Sequence, residues 1–372
     1  MAKPVRGGAP LLAYAGPVTP AELSRTVVRA VRSAVDAGAL GGVRGEPAVK
    51  VERPRPGGGG DYASGIALKL AAAVGLPARQ VAEELRRRIA EQPGIALVEI
   101  SGPGFLNITL ERGTQYDVVG QVLDAGVRYG HGSALAGEVF AFAAGEERAR
   151  VVSEVVAGLL RAQGAQARVV GAGERGQVLS AVPCAVAPLA ALVGEGAARW
   201  AVLRAARHDR PRTDVEELLA QRESSALFRV RYAHSRSRAL TRGAHQLGFR
   251  SEAAPQGWAV PEGGVVLEAG AAPAAGAAPQ GWALPDGGAL LGLVREYPAV
   301  LEGAARHRAP DRLARHLEAV ADELLRFQHT VLPLGDEKPS AAHRSRLALA
   351  EAAGTVLAGG LSLLGIDAPE FL

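Results

Sequence analysis

The sequence predicts an α+β protein in three parts: an N-terminal domain with a small antiparallel sheet, a short βαβ unit, and a C-terminal region that is all helix. Three observations carry this. Apolar residues at helical spacing dominate the second half of the chain. Two short strand patterns, at 97–100 and 105–110, are joined by Gly102-Pro103-Gly104. A strand, helix, strand pattern fills 138–170.

Residues 1–18 read as a flexible leader. Pro20 then opens a helix, because its missing N–H and fixed φ suit the first helical position. Leu23, Val27 and Val31 recur every four residues and share one face. Residues 49–51 are a short strand candidate, and RPRPGGGG at 53–60 is a basic, flexible loop. Asp61 is placed to cap a helix running to about Val74, with Ile66, Leu70 and Ala73 inward. Gly75 ends that helix, and Pro77 starts another with Val81, Leu85 and Ile89 on one side. The two strands follow, and a helix at about 114–125 leads out of a domain bounded at 19–132.

Within 133–190, residues 138–143 and 167–170 are strands flanking a helix at 148–163. One βαβ unit cannot cover both faces of its strands, so it must lean on its neighbours. The helical region spans 191–372. There Val230, Ala233, Ser237, Leu240, Ala244 and Leu247 form a narrow core-facing seam. Arg229 and Arg236 flank it on one side, Arg231, Arg238 and Arg242 on the other, and no acid falls between Ala226 and Arg250. Two more long helices are expected at about 311–331 and 341–359. A Pro/Gly-rich loop at 251–289 repeats itself: AAPQGWAVPEGG returns as AAPQGWALPDGG. It reads as a tandem duplication in a loop, or as a twin docking peptide using Trp258 and Trp282.

Composition narrows the function classes. The formal charge of +4 and pI near 9.4 suit a polyanionic partner. Only four of the 42 basic residues are lysine, and arginine's planar fork matches phosphate. The lone Cys184, in an apolar stretch without a nearby base, excludes internal disulfides and thiolate clusters and favours a cytoplasmic setting. No apolar run reaches the ~18 residues of a membrane span, the first residues make a poor signal peptide, and no histidine spacing suggests a metal.

Several stretches resemble the two RNA-facing ends of arginyl-tRNA synthetases. DYASGIALKLAAAVG, a Pro-started helix and GPGFLNITL occur in that family's order and spacing. LFRVRYAHSRSR at 227–238 and RLALAEAAGTVLAGGLSLLGIDAPE at 346–370 resemble its closing helical, DALR anticodon-binding domain. The resemblance implies that the first domain meets the tRNA elbow, near Phe105 and Asn107, and that the last holds the anticodon stem-loop. Phe105 and Tyr232 could stack on unpaired bases and Asn107 could read a base edge. Arg53, Arg55, Arg231, Arg236, Arg238 and Arg242 could neutralise phosphates. The family's usual ending, Pro-Glu-Arg-Met, is here Pro369-Glu370-Phe371-Leu372.

The middle departs from the family. Class I synthetases use a His-x-Gly-His stretch to stabilise charge on ATP as the adenylate forms. Here VFAFA runs into Ala144-Gly145-Glu146-Glu147-Arg148, and no histidine lies between 132 and 207. The stretch equivalent to Lys-Met-Ser-Lys-Ser is Val178-Leu179-Ser180-Ala181-Val182, where only the serine survives. Residues 133–190 thus read as a remnant of the catalytic domain. The expectation is a paralogue that binds tRNA, of the arginine type, without an intact aminoacylation site, with no catalytic residues and no cofactor. ATP would be needed only if ligase activity is retained or supplied with a partner subunit. The remaining alternative is a module that docks a full-length synthetase or a tRNA-dependent biosynthetic enzyme.

Overall fold

Apolar residues at intervals of three and four build two separate hydrophobic cores, one within residues 22–114 and one within 115–372. The structure, a computed structural model, describes residues 20–252 and 287–372, apart from 42, 44–46, 48, 53, 55–58, 93, 94, 111–113, 144, 172 and 173. Of residues 20–22 and 114–117 only the backbone is described. The leader, Arg53, Arg55 and both tryptophans of the repeat lie outside the described residues.

In the first unit, α1 (Pro20–Asp36) buries Leu23, Val27 and Val31. The edge strand β1 (Tyr62–Ser64) precedes α2 (Ile66–Val74) and α3 (Ala78–Ala90). Strands β2 (Ile95–Ser101) and β3 (Phe105–Leu110) complete an antiparallel sheet of order β1-β3-β2. Gly104 in the β2–β3 turn has φ 140°, and a Cβ there would stand 3.0 Å from the Ala78 carbonyl oxygen, so glycine is required. Three expectations fail here. Asp61 does not cap α2; its carboxylate accepts from the Leu110 N–H (2.8 Å) and so ties β1 to β3. Ala73 is exposed; in the last turn of α2 it is Val74 that packs against the core. Residues 49–51 form no strand; their neighbour Glu52 makes a single bridge to Ala63.

In the second unit, α4 (Thr114–Ala125) leads to β4 (Val139–Ala143), α5 (Glu147–Ala162) and β5 (Gln166–Val170). The two strands pair in parallel, and Gln177 bridges to Phe142 on the other side of β4. Helix α5 is buried nearly all round, against β5 and the helices described next. These are α6 (Val186–Val193), α7 (Glu195–Arg204), the short α8 (Val215–Leu219) and α9 (Ala226–Gln246), then α10 (Gly288–His307), α11 (Pro310–Phe327) and α12 (Ala341–Leu363). The α9 seam is as expected from Val230 to Ala244, but Leu247 lies past the helix end and is 51% exposed. Helix α10 escapes the periodicity reading because Pro298 interrupts it and glycines precede it, yet Leu290, Leu291, Val294, Tyr297, Leu301 and Ala304 are all buried.

Small residues on α12 let the bundle close. A Cβ on Gly354 would stand 2.2 Å from Ser237 Oγ, whose hydroxyl donates to the Ala350 carbonyl (2.8 Å). A Cβ on Gly359 would stand 2.8 Å from the Val127 carbonyl oxygen, which is backbone and cannot swing aside. Gly359→Ala gains up to about 1 kcal/mol of helix propensity, but overpacking costs about 1–3 kcal/mol. Denaturant unfolding should show net destabilisation. In the same bundle His316 sits buried beside Tyr297, and burial pushes its pKa down to about 4 against a hydrogen bond to Leu293 that pulls upward. His316 is therefore neutral when folded, and the unfolded chain takes the proton first. Stability should be lost as pH falls from about 6.5 towards 4, by at most about 3 kcal/mol. In His316→Phe this part of the slope in a pH series of melts should vanish.

Candidate nucleic-acid interface

At the turn from β4 into α5, Glu147 and Arg148 are bound to backbone groups. The Glu147 carboxylate accepts from the Val186 (2.6 Å) and Ala187 (3.0 Å) N–H groups at the start of α6. These two bonds hold its pKa below the usual carboxylate range. Arg148 is fully buried. Its Nε donates to the Val202 carbonyl (3.2 Å), Nη1 to Val182 (3.1 Å) and Asp209 (2.8 Å), and Nη2 to Ala205 (3.1 Å) and Ala206 (2.9 Å). Five N–H groups thus meet five carbonyls, the full capacity of a guanidinium. Burial lowers its pKa from the ordinary arginine value.

Ser180, the survivor of the second signature, uses its carbonyl to accept from Arg207 Nη1 (3.1 Å). Cys184 is half-buried and burial pushes its thiol pKa up, away from nucleophile behaviour. Among the described residues no cluster could hold a metal ion, and no helix is long and apolar enough to cross a membrane.

Helix α9 brings Arg231, Tyr232, Arg236, Arg238 and Arg242 onto one element. The segment 367–370 runs along it. Arg231 Nε donates to the Asp367 carbonyl (3.2 Å) and Ser235 Oγ to that of Glu370 (3.1 Å). His234 is buried with Nδ1 2.9 Å from the Pro369 carbonyl, and burial lowers its pKa, which fits a structural rather than a ligand-binding role. Beyond these fasteners, Arg238 pairs with the Glu370 carboxylate (3.0 Å), and the Arg242 guanidinium lies 4.3 Å over the Phe371 ring. Phe371 is itself 71% exposed. Arg236 donates to Gln328 (2.7 Å), and Tyr232 stacks on Phe228, 5.7 Å between centroids. The face is cationic and aromatic, but each of its groups already has an internal partner of modest strength.

In the N-terminal unit the two expected contacts part company. Phe105 stands at the β2–β3 turn and is 42% exposed. Asn107 was expected to offer its amide to a base, yet it is only 8% exposed and its Nδ2 donates to Ser101 Oγ (3.0 Å). The reason is position: β3 is the central strand, so Asn107 is flanked by Ala63 and Glu99. The periodicity reading also passed over the end of α7 and the loop after it, where Arg204, Arg207, His208, Arg210 and Arg212 crowd into nine residues. That density was the available signal.

The fold is similar to that of solved arginyl-tRNA synthetases. It aligns with Thermus thermophilus arginyl-tRNA synthetase at a TM-score of 0.65 and 12% identity, covering 95% of this chain and 100% of that one. It aligns with the Plasmodium falciparum enzyme at 0.61 and 7%, covering 96% and 100%. At the level of sequence, residues 21–110 match the arginyl tRNA synthetase N terminal domain, and residues 230–372 match the DALR anticodon binding domain.

The chain is an arginyl-tRNA synthetase-like protein built on these two domains. It is 47% identical over 114 residues to an arginine–tRNA ligase of Frankia alni, covering 31% of this chain and 20% of that protein. It is 44% identical over 124 residues to that of Renibacterium salmoninarum, covering 33% and 23%. With the ligase of Clavibacter sepedonicus the figures are 33% over 181 residues, 48% and 28%. The chain spans less than a third of the length of each of these relatives.

Replacing Arg148 tests how far this part of the protein hangs on one side chain. Arg148→Met should cost at least about 3 kcal/mol, since it leaves several buried carbonyls unpaired. Arg148→Lys, with three donors, should recover only part of this. Equilibrium unfolding in urea reads both.

Proposed function

We propose that this chain binds tRNA, of the arginine type, through its N-terminal and DALR domains and does not charge it. The observation that carries the reading is the strand-to-helix turn at 145–148. Adenylate formation needs donors free to reach phosphate at such a turn. Here the Arg148 guanidinium is saturated by backbone and Glu147 is spent on the first amides of α6. The second signature retains only Ser180, and the surrounding stretch offers no ammonium.

On this reading 133–190 is a remnant of the catalytic domain that serves as a structural joint. No cofactor is required, and the site of action is the cytoplasm. The anticodon stem-loop is held by α9, with Tyr232 and the arginines at 231, 236, 238 and 242 supplying stacking and phosphate neutralisation. Phe105 is the contact on the N-terminal domain. The exposed Arg238–Glu370 pair does not oppose this, because exposed ion pairs are worth only about 0–1 kcal/mol and exchange readily for phosphate.

The test is a salt-titrated binding assay. Affinity for tRNA should exceed that for random RNA of equal length. Joint replacement of Arg236, Arg238 and Arg242 by Gln should lower the slope of log K against log salt by about 2. Equal affinity for both RNAs rejects specific recognition, and an unchanged slope removes α9 from the interface. Turnover by the pure chain with ATP, arginine and tRNA would overturn the reading altogether.

A further inference from the structure

The helical unit contains an open cleft of about 740 Å³ between 180–182, 206–209 and the α10–α11 turn. We propose that this cleft is a second anion site, which takes linked phosphate groups at Arg207 and Arg312. Nothing in the α9 interface uses it.

Both walls are anchored by arginines that face away from the cleft. On one side, Arg148 draws the carbonyls of Val182, Ala205, Ala206 and Asp209 into the core. The Val182 N–H donates to the Arg207 carbonyl (2.8 Å), so the backbone at Arg207 is pinned twice over. On the other side, Arg308 closes α10 with φ 53°, the one positive φ of a non-glycine residue among the described residues. Its guanidinium lies over the stacked Phe140 and Phe142 rings, 5.6 and 5.9 Å from their centroids. That contact holds a strained turn in place and sets His307 and the start of α11 beside the cleft.

The charges facing the cleft are uneven in availability. Arg207, Arg312 and Arg315 face Asp209 and Asp311, with His208 and His307 at the rim. Asp311 is buried and already paired with Arg315 (2.7 Å), and the Asp209 carboxylate lies 3.7 Å from His208 Nε2. The side chains of Arg312 and His307 are exposed and carry no hydrogen bond or ion pair among the described residues; the Arg312 N–H donates to the Ala309 carbonyl (3.1 Å). Arg207 makes one exposed bond, to the Ser180 carbonyl. The same loop continues with Arg210 and Arg212 into an adjoining groove. Planar forks spaced along an open cleft suit a chain of phosphates better than a single small acid. RNA backbone and a free oligophosphate share that chemistry.

The test uses the full chain, the double variant Arg207→Gln/Arg312→Gln, and Arg326→Gln as control, since Arg326 lies on the same helix but is paired with Glu323. Inorganic tripolyphosphate should raise the melting temperature of the wild type and the control, at constant ionic strength, and most of that rise should disappear in the double variant. If RNA is the source, the double variant should also lose about tenfold in tRNA affinity and about 1.5 in salt slope. If the source is a free oligophosphate, the melting effect is lost while the tRNA slope stays. Should the double variant be unstable, Arg312→Gln alone serves, and Arg312→Lys should restore part of the effect. The proposal is overturned if the variant matches the wild type in both arms. The RNA arm rests on the tRNA-binding reading. Failure of the wild type to prefer tRNA would end that reading while leaving the tripolyphosphate result to decide the cleft.

Discussion

One buried guanidinium organises the helical unit. A charge without a carboxylate partner is costly to bury, and Arg148 is tolerated because every N–H it has meets a carbonyl oxygen. Those carbonyls come from 182, 202, 205, 206 and 209, so a single side chain joins α5 to the end of α7 and to two irregular segments. Irregular backbone has no ladder of its own in which to satisfy buried carbonyls. Arg148 supplies the missing donors. This is how a lone βαβ unit, which cannot cover both faces of its strands, becomes a stable insert among helices.

The same economy of donors explains the contrast between the interior and the surface. At the turn into α5, Glu147 and Arg148 are spent on backbone groups. Outside, α9 keeps arginines whose partners are weak or exchangeable. The segment 367–371 meets that helix with carbonyl oxygens, a carboxylate and an aromatic ring.

The helices with clean periodicity were legible in the sequence: α1, α3, α5, α9, α11 and α12 lie where the apolar spacing places them, within a few residues at their ends. The parallel pairing of β4 and β5 follows from a helix placed between two strand patterns. Elements set by a single unusual residue were not. Pro298 hid α10, whose buried face is continuous on both sides of it. Asp61 carries a capping side chain but meets a strand amide 49 residues away, which no local rule anticipates. At the candidate interface, the run of arginines on α9 was visible as sequence. Their internal partners, the burial of Asn107 and the cleft at Arg207 and Arg312 were not.

The sequence alone carried the two domain likenesses, because domain resemblance and apolar period are properties of residues in order. It also determined which helix concentrates positive charge. Tertiary structure alone decided which of those charges are available. A guanidinium becomes a structural rivet or a ligand contact according to how many acceptors surround it, and the carbonyls that surround Arg148 lie 34 to 61 residues away along the chain. Only folding brings them together.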